Sequence, residues 1–281
     1  MLEALTGEQI RAVTTEELQG LIRDLFNFQH TLSYTGSLPL DEVLAILHAQ
    51  YTVDSELSET PPYRFRKARP IDQTEILVVD RETAQAQVRI EFADGVLDES
   101  LVVPASVYNA YFGTSMSSVV FQELRESRAL AYSASAQYSQ GSRLLAENLV
   151  IGTIGSQNDK AVEATVAFLD LFDNMPRSIE RFEEARNSML NRYRTSTVGF
   201  RQVIGTVRAW ERQGLTGDPR RERFAQLQSM TLEDLLGFQQ EHVAGKEKLI
   251  SIVGDLSRVQ PDTLSEYGVV KELSVDDLFV D

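Results

Sequence analysis

Two stretches of this chain repeat one another at the distance of a whole domain. Residues 13–38, VTTEELQGLIRDLFNFQHTLSYTGSL, and residues 230–256, MTLEDLLGFQQEHVAGKEKLISIVGDL, align with a one-residue gap. Each opens on a threonine with an acid three positions on, Thr14/Glu17 and Thr231/Asp234. That is a capping-box pattern, in which side chains at both positions satisfy the free N–H groups of a helix start. Each continues into a Leu-rich helical run with glycine at the matching place, Gly20 and Gly237, and then into a short predicted strand ending in a Gly turn, Thr31–Gly36 and Lys248–Gly254. The spacing, about 218 residues, is the size of a domain rather than of a solenoid unit, so a duplicated domain is predicted. The expected organisation is the tail (helix–strand–helix) of a preceding homologous domain over 1–55, a linker over 56–74 and one complete domain over 75–281. The stretch 52–74 around the linker, TVDSELSETPPYRFRKARPIDQT, is polar and Pro-rich, and its basic patch (Arg64, Arg66, Lys67, Arg69) reads as a solvated face pairing with acidic neighbours.

Beyond the linker, 75–80 and 86–92 read as strands, the second alternating apolar and polar residues. Residues 104–112 fit a short helix, and 117–129 a second one with Ser117 as N-cap. The stretches 131–138 and 144–154 read as an antiparallel hairpin. Helices follow over 158–174, 178–195, 200–213 and 219–228, before the repeat's own helix and strand. Strands first, a hairpin in the middle and helices massed afterwards predict an α+β fold, an antiparallel sheet covered on one face by helices.

Composition removes whole classes of chemistry. The chain has no cysteine, so thiol nucleophiles, disulfides and Cys-based metal or haem sites are excluded. Its three histidines, His30, His48 and His242, contain no pair at metal-motif spacing, and neither H-E-x-x-H nor H-x-x-E-H occurs. His242 is expected to pack rather than to bind metal. With 42 acidic and 27 basic residues the net charge is −15, which argues against nucleic acid or an anionic membrane as partner. No apolar run approaches the roughly 20 residues needed to span a bilayer, and the start lacks a signal-peptide pattern. A soluble protein is expected, cytoplasmic or periplasmic. Other candidates resolve into ordinary surface: Glu183-Glu184 reads as a solvated helix face, the Arg-rich stretch 201–223 as internal ion pairing, and Gly152–Gly155 lacks the Lys-Ser/Thr of a phosphate loop.

One stretch carries a specific signal. Ser117-Ser118, Phe121-Gln-Glu-Leu-Arg-Glu126 and Leu130-Ala-Tyr-Ser133 follow in order behind a Gly turn at Gly113. This run resembles the insulinase–pitrilysin family of zinc peptidases, which includes the mitochondrial processing peptidases and their inactive relatives. The likeness extends more loosely over 75–260. Two departures stand out: the family's Gly-rich turn is thinned to Gly113-Thr-Ser115, and the Gly that usually precedes Leu-Ala-Tyr is Ala129. A turn that needs positive φ accepts such side chains poorly.

The resemblance implies divided labour. A domain early in the family's chains holds zinc through H-x-x-E-H, and a later homologous domain closes over the peptide and contributes an Arg and a Tyr seven residues apart. Arg125 and Tyr132 match that pair. Hydrogen bonds from a guanidinium and a phenol to the oxygen of an attacked carbonyl are coherent chemistry, and losing one such donor typically costs about 10²–10³ in rate. Gly113, Ser117 and Ser118 are the substrate-binding candidates. No metal or cofactor is expected in this chain, zinc being supplied by a partner domain or subunit of the same family, with peptide as substrate. The alternatives are a catalytically inactive member serving as a structural or assembly subunit, and a peptide-binding module without hydrolysis.

Overall fold

The computed structural model describes residues 5, 7–50 and 56–278. They fall into two compact units, 5–65 with 198–206 and 66–197 with 207–278. The division at 65/66 lies inside the Pro-rich stretch.

In the first unit, helices α1 (Gly7–Ala12), α2 (Thr15–Leu25) and α3 (Leu40–Gln50) carry no buried residue. The capping box of α2 forms as the sequence predicts: the Glu17 N–H donates to Thr14 Oγ1 at 3.2 Å, and the Thr14 N–H donates to Glu17 Oε2 at 2.7 Å. The strand expected over Thr31–Gly36 does not form. A strand needs a neighbour to take its backbone groups, and the unit's one bridge among the described residues pairs Phe28 with Ser58. The run 31–36 is therefore loop.

The second unit is built on six strands, β1 (Glu75–Asp80), β2 (Ala86–Val96), β3 (Ser133–Ser139), β4 (Glu147–Ser156), β5 (Leu249–Gly254) and β6 (Val269–Leu273), in the spatial order β3-β4-β2-β5-β1-β6. The predicted antiparallel sheet is present across β3, β4, β2 and β5. Two parallel pairs, β1 with β5 and β1 with β6, make the whole sheet mixed. The hairpin forms in register, Ala136 opposite Gly152 and Tyr138 opposite Val150. The strand β6 was not anticipated: VVKEL is short, half charged and lies at the sheet edge, so it lacks a hydrophobic alternation to announce it.

Period-two alternation places Ile76, Val78, Val88, Ile90, Ala136, Tyr138, Val150, Ile154, Ile250 and Ile252 on one face, all buried, while Gln87, Arg89, Ser133 and Ser135 point to the other and are exposed. The buried face is covered by α4 (Val102–Phe112) and α5 (Ala161–Asp173), and α9 (Leu232–His242) reaches it through Phe238; α6 (Ile179–Thr195) and α8 (Arg220–Ser229) pack behind them on α4; between α6 and α8 the chain forms α7 (Val203–Arg212). The core is a run of rings: Phe168 stacks on Phe172 at 4.8 Å, Tyr108 on Phe112 at 5.0 Å, and Phe238 meets Tyr138 at 5.1 Å. Gly152 in β4 makes room for it, since a Cβ there would stand 3.0 Å from the Phe168 ring. The second capping box holds α9 in the same way as the first, Thr231 with Asp234.

His242 packs, as expected, but with a definite partner. Its Nδ1 lies 2.8 Å from Asp94 Oδ2, which also accepts from the Tyr138 hydroxyl at 2.7 Å, and Lys246 stands 3.6 Å from the other oxygen. Asp94 precedes Gly95 (φ +61) at the irregularity in β2, so the network ties the end of α9 to that kink. Burial, followed by the Asp94 carboxylate, pushes the Tyr138 phenol above its ordinary range and keeps it a donor. Within the Arg-rich stretch 201–223, two of the arginines form the expected internal ion pairs, Arg223 with Glu99 at 2.7 Å and Arg220 with Asp218, while Arg201 lies over the Phe200 ring.

Candidate functional site

The chain between α4 and β3 builds the site. The predicted helix over 117–129 begins at Val119, and from Phe121 to Ser127 its bonds run in π-helical register. Such wide turns are rare and recur at functional sites. Leu124 is fully buried and anchors the turn, which sends Arg125 outward. The Arg125 guanidinium lies 4.8 Å over the Phe121 ring, and its Nε is 3.5 Å from Glu126. Stacking and this loose pairing hold it while leaving the side chain 48% exposed.

The turn ends on Ala129, whose φ of +49 is left-handed. That conformation lets the Leu130 N–H reach back to the Leu124 carbonyl at 2.9 Å, closing the helix. A glycine would adopt it without the Cβ cost, so the alanine carries local strain. Leu130 and Ala131 are buried. The Tyr132 N–H then donates to the Gly155 carbonyl at 2.8 Å, placing Tyr132 at the head of β3, about half exposed. Its hydroxyl accepts from Gln157 Nε2 at 3.1 Å.

Arg125 and Tyr132 thus line one cavity of about 280 Å³, together with Ala129, Leu130, Ala131, Gln157 and Lys160. The other sequence candidates lie elsewhere. Gly113 is buried where α4 meets β3: its carbonyl accepts from the Ala136 N–H at 3.2 Å, and a Cβ on it would stand 2.2 Å from the Ala136 oxygen. Ser118 is fully buried, and Ser117, half-buried, shares a hydrogen bond with Ser115 at 3.2 Å. Ser117 does not cap the helix. Gln157 and Lys160 were missed by sequence reasoning. They sit on the far side of the hairpin, just past β4, in the stretch 155–160 that shares the looser family likeness; what brings them to Arg125 is the Tyr132–Gly155 backbone bond, which only pairing reveals.

The half of the β3 edge away from the cavity, Ala136–Tyr138, is already closed. Asn109 of α4 accepts from the Tyr138 N–H at 2.6 Å and donates to its carbonyl at 3.0 Å, copying a neighbouring strand. With Gly113 on Ala136, this occupies edge groups that an incoming peptide strand would need. Among the described residues, no group of three or more His, Asp or Glu side chains is placed to hold a metal ion, so a zinc ion does not fit here and no step through it is assigned to these residues. No helix of the described residues is long and apolar enough to cross a membrane.

The chain belongs to the peptidase M16 inactive-domain family, whose model matches residues 12–189. It is similar in structure to a peptidase M16 inactive domain from Pseudomonas fluorescens, with a TM-score of 0.64 and 15% identity, covering 88% of this chain and 59% of that one. A protease from Helicobacter pylori has a TM-score of 0.60 and 14% identity, covering 89% and 61%. A chain of the Complex III2 structure from Candida albicans has a TM-score of 0.54 and 12% identity, covering 80% and 54%. At these identities the likeness concerns the fold. The chain spans about 59–61% of the length of the first two. No curated protein matches the sequence.

Proposed function

We propose that this chain forms the substrate-side portion of an insulinase-like zinc endopeptidase, with zinc and its attacking water supplied by another domain or subunit of the same family. The observation that carries the reading is the shared cavity of Arg125 and Tyr132, two half-exposed donors brought together by the π-helical turn and the β3–β4 pairing. As charge builds on the oxygen of the attacked peptide carbonyl, the guanidinium and the phenol donate to it, and Gln157 orients the phenol. Of the three further candidates, Ser117 is the one whose side chain reaches the surface to touch a peptide; Gly113 and Ser118 hold the scaffold behind it.

The repeat supports the two-domain part of this reading. Leu235 and Phe238 of α9 and Val243 just after it are buried; the residues aligned with them in the first copy, Leu18, Leu21 and Phe26, are 51%, 64% and 55% exposed. The first copy thus has an apolar helix face of the kind that its twin buries against α4, which fits residues 1–55 completing a homologous domain.

The test is hydrolysis by the assembled enzyme. Arg125→Ala and Tyr132→Phe should each lower kcat by about 10²-fold with zinc content and folding unchanged. Wild-type turnover in both variants overturns the assignment and favours the second reading, a non-catalytic subunit of an assembly, which the likeness to a Complex III2 chain supports.

A further inference from the structure

The charge of the cavity runs against the charge of the chain. Acids outnumber bases 42 to 27 overall, yet the cavity's two charged lining residues are both cationic, Arg125 and Lys160. Its remaining polar groups are the Tyr132 hydroxyl and the Gln157 amide, joined at 3.1 Å. The rest of the lining is Ala129, Leu130 and Ala131. Lys160 is half-buried at the head of α5, and among the described residues no carboxylate lies within ion-pairing distance of its ammonium. The adjacent Asp159 turns instead to Arg258, at 3.5 Å. Arg125 has only the loose contact to Glu126, itself half exposed.

A small site that gathers two cations and an amide, with no carboxylate in its lining, is built for an anion. The geometry points to a carboxylate-binding subsite: Lys160 and Arg125 select peptides that carry a carboxylate beside the bond to be cut, either the C-terminal α-carboxylate or an Asp or Glu side chain. The inference rests on the reading of this cavity as the peptide site and adds Lys160 as a specificity-determining residue. Exposed ion pairs are weak, so the two cations together should favour a carboxylate over its neutral isostere by about three- to tenfold. The surrounding field of the acidic chain opposes any anion at long range, and at about 0.15 M salt that field is screened beyond roughly 8 Å while the contacts in the cavity are not.

The experiment is fluorescence-anisotropy titration of the full chain at that salt with four labelled peptides of one sequence. They pair a free C-terminus with a C-terminal amide, and an internal Glu with Gln. The expected result is three- to tenfold tighter binding of the acid in one pair, which also identifies the carboxylate recognised. Lys160→Gln should cut the preference to about two- to threefold, the share left to Arg125, and Lys160→Arg should retain it in full. Equal binding within both pairs, or a preference undiminished in Lys160→Gln, overturns the subsite and leaves the peptide site standing. Absence of binding by any of the four, at concentrations up to millimolar, overturns both the peptide site and the subsite.

Discussion

The two copies of the capped helix make opposite predictions for what is nearly the same substitution. Leu235 is fully buried in α9, inside the core that includes Phe238 and Tyr108. Leu18 occupies the aligned place in α2 and is half exposed. Truncating a buried leucine to alanine removes its transfer energy and leaves a cavity, a cost of about 2–5 kcal/mol. Taking about 3 kcal/mol, Leu235→Ala should lower the melting temperature by roughly 6–12 °C. Leu18→Ala removes little burial and changes helix propensity little, so its effect should stay within about 0.5 kcal/mol. Circular dichroism reads the first effect, and amide hydrogen exchange over 15–25 and 232–242 reads the local stability of each helix, the second segment exchanging far more slowly. Adding the homologous partner domain should then protect 15–25 and make Leu18→Ala costly. If Leu18→Ala destabilises the chain alone as much as Leu235→Ala does, the argument that the first copy has an uncovered face is refuted.

Three further outcomes follow from the structure. Gly113→Ala should cost about 1–3 kcal/mol in urea unfolding, because the new Cβ meets the Ala136 backbone at 2.2 Å and α4 and β3 must part; an unchanged midpoint would show that the close approach relaxes freely. Ala129→Gly should stabilise by up to about 1 kcal/mol, the relief of a left-handed alanine less the greater entropy of glycine in the unfolded chain, and a loss of stability in the same assay would contradict the strain. Burial raises the phenols of Tyr108 and Tyr138 above their unfolded value of about 10, so their contribution is complete below that pH and is lost as pH rises through the folded values. The urea midpoint should therefore fall above about pH 10, and full tyrosinate absorbance at pH 11 with native circular dichroism would refute it.

Local rules made much of this protein readable from its residues. Capping boxes at Thr14 and Thr231 act within one turn, so a four-residue pattern suffices to place both helix starts. Alternation in 86–92 and the hairpin composition of 131–154 record which residues face a core, whatever that core turns out to be. Arg125 and Tyr132 were identified by resemblance to a peptidase family, and the absence of cysteine and of any zinc motif excluded whole classes of site before a coordinate was known.

What the tertiary structure alone decided depends on groups distant in sequence. The strand over 31–36 fails although its residues suit it, because a strand exists only with a neighbour, whereas its twin over 249–254 lies between β1 and β2 and forms. The edge closure by Asn109 is set by how α4 meets β3, and the π-helical turn, which ends on the left-handed Ala129, packs on β3 and α5. Gln157 and Lys160 enter the site only because the Tyr132 N–H bonds the Gly155 carbonyl across the hairpin. The repeat was written in the sequence, but which of its two apolar faces is covered could be decided only by packing.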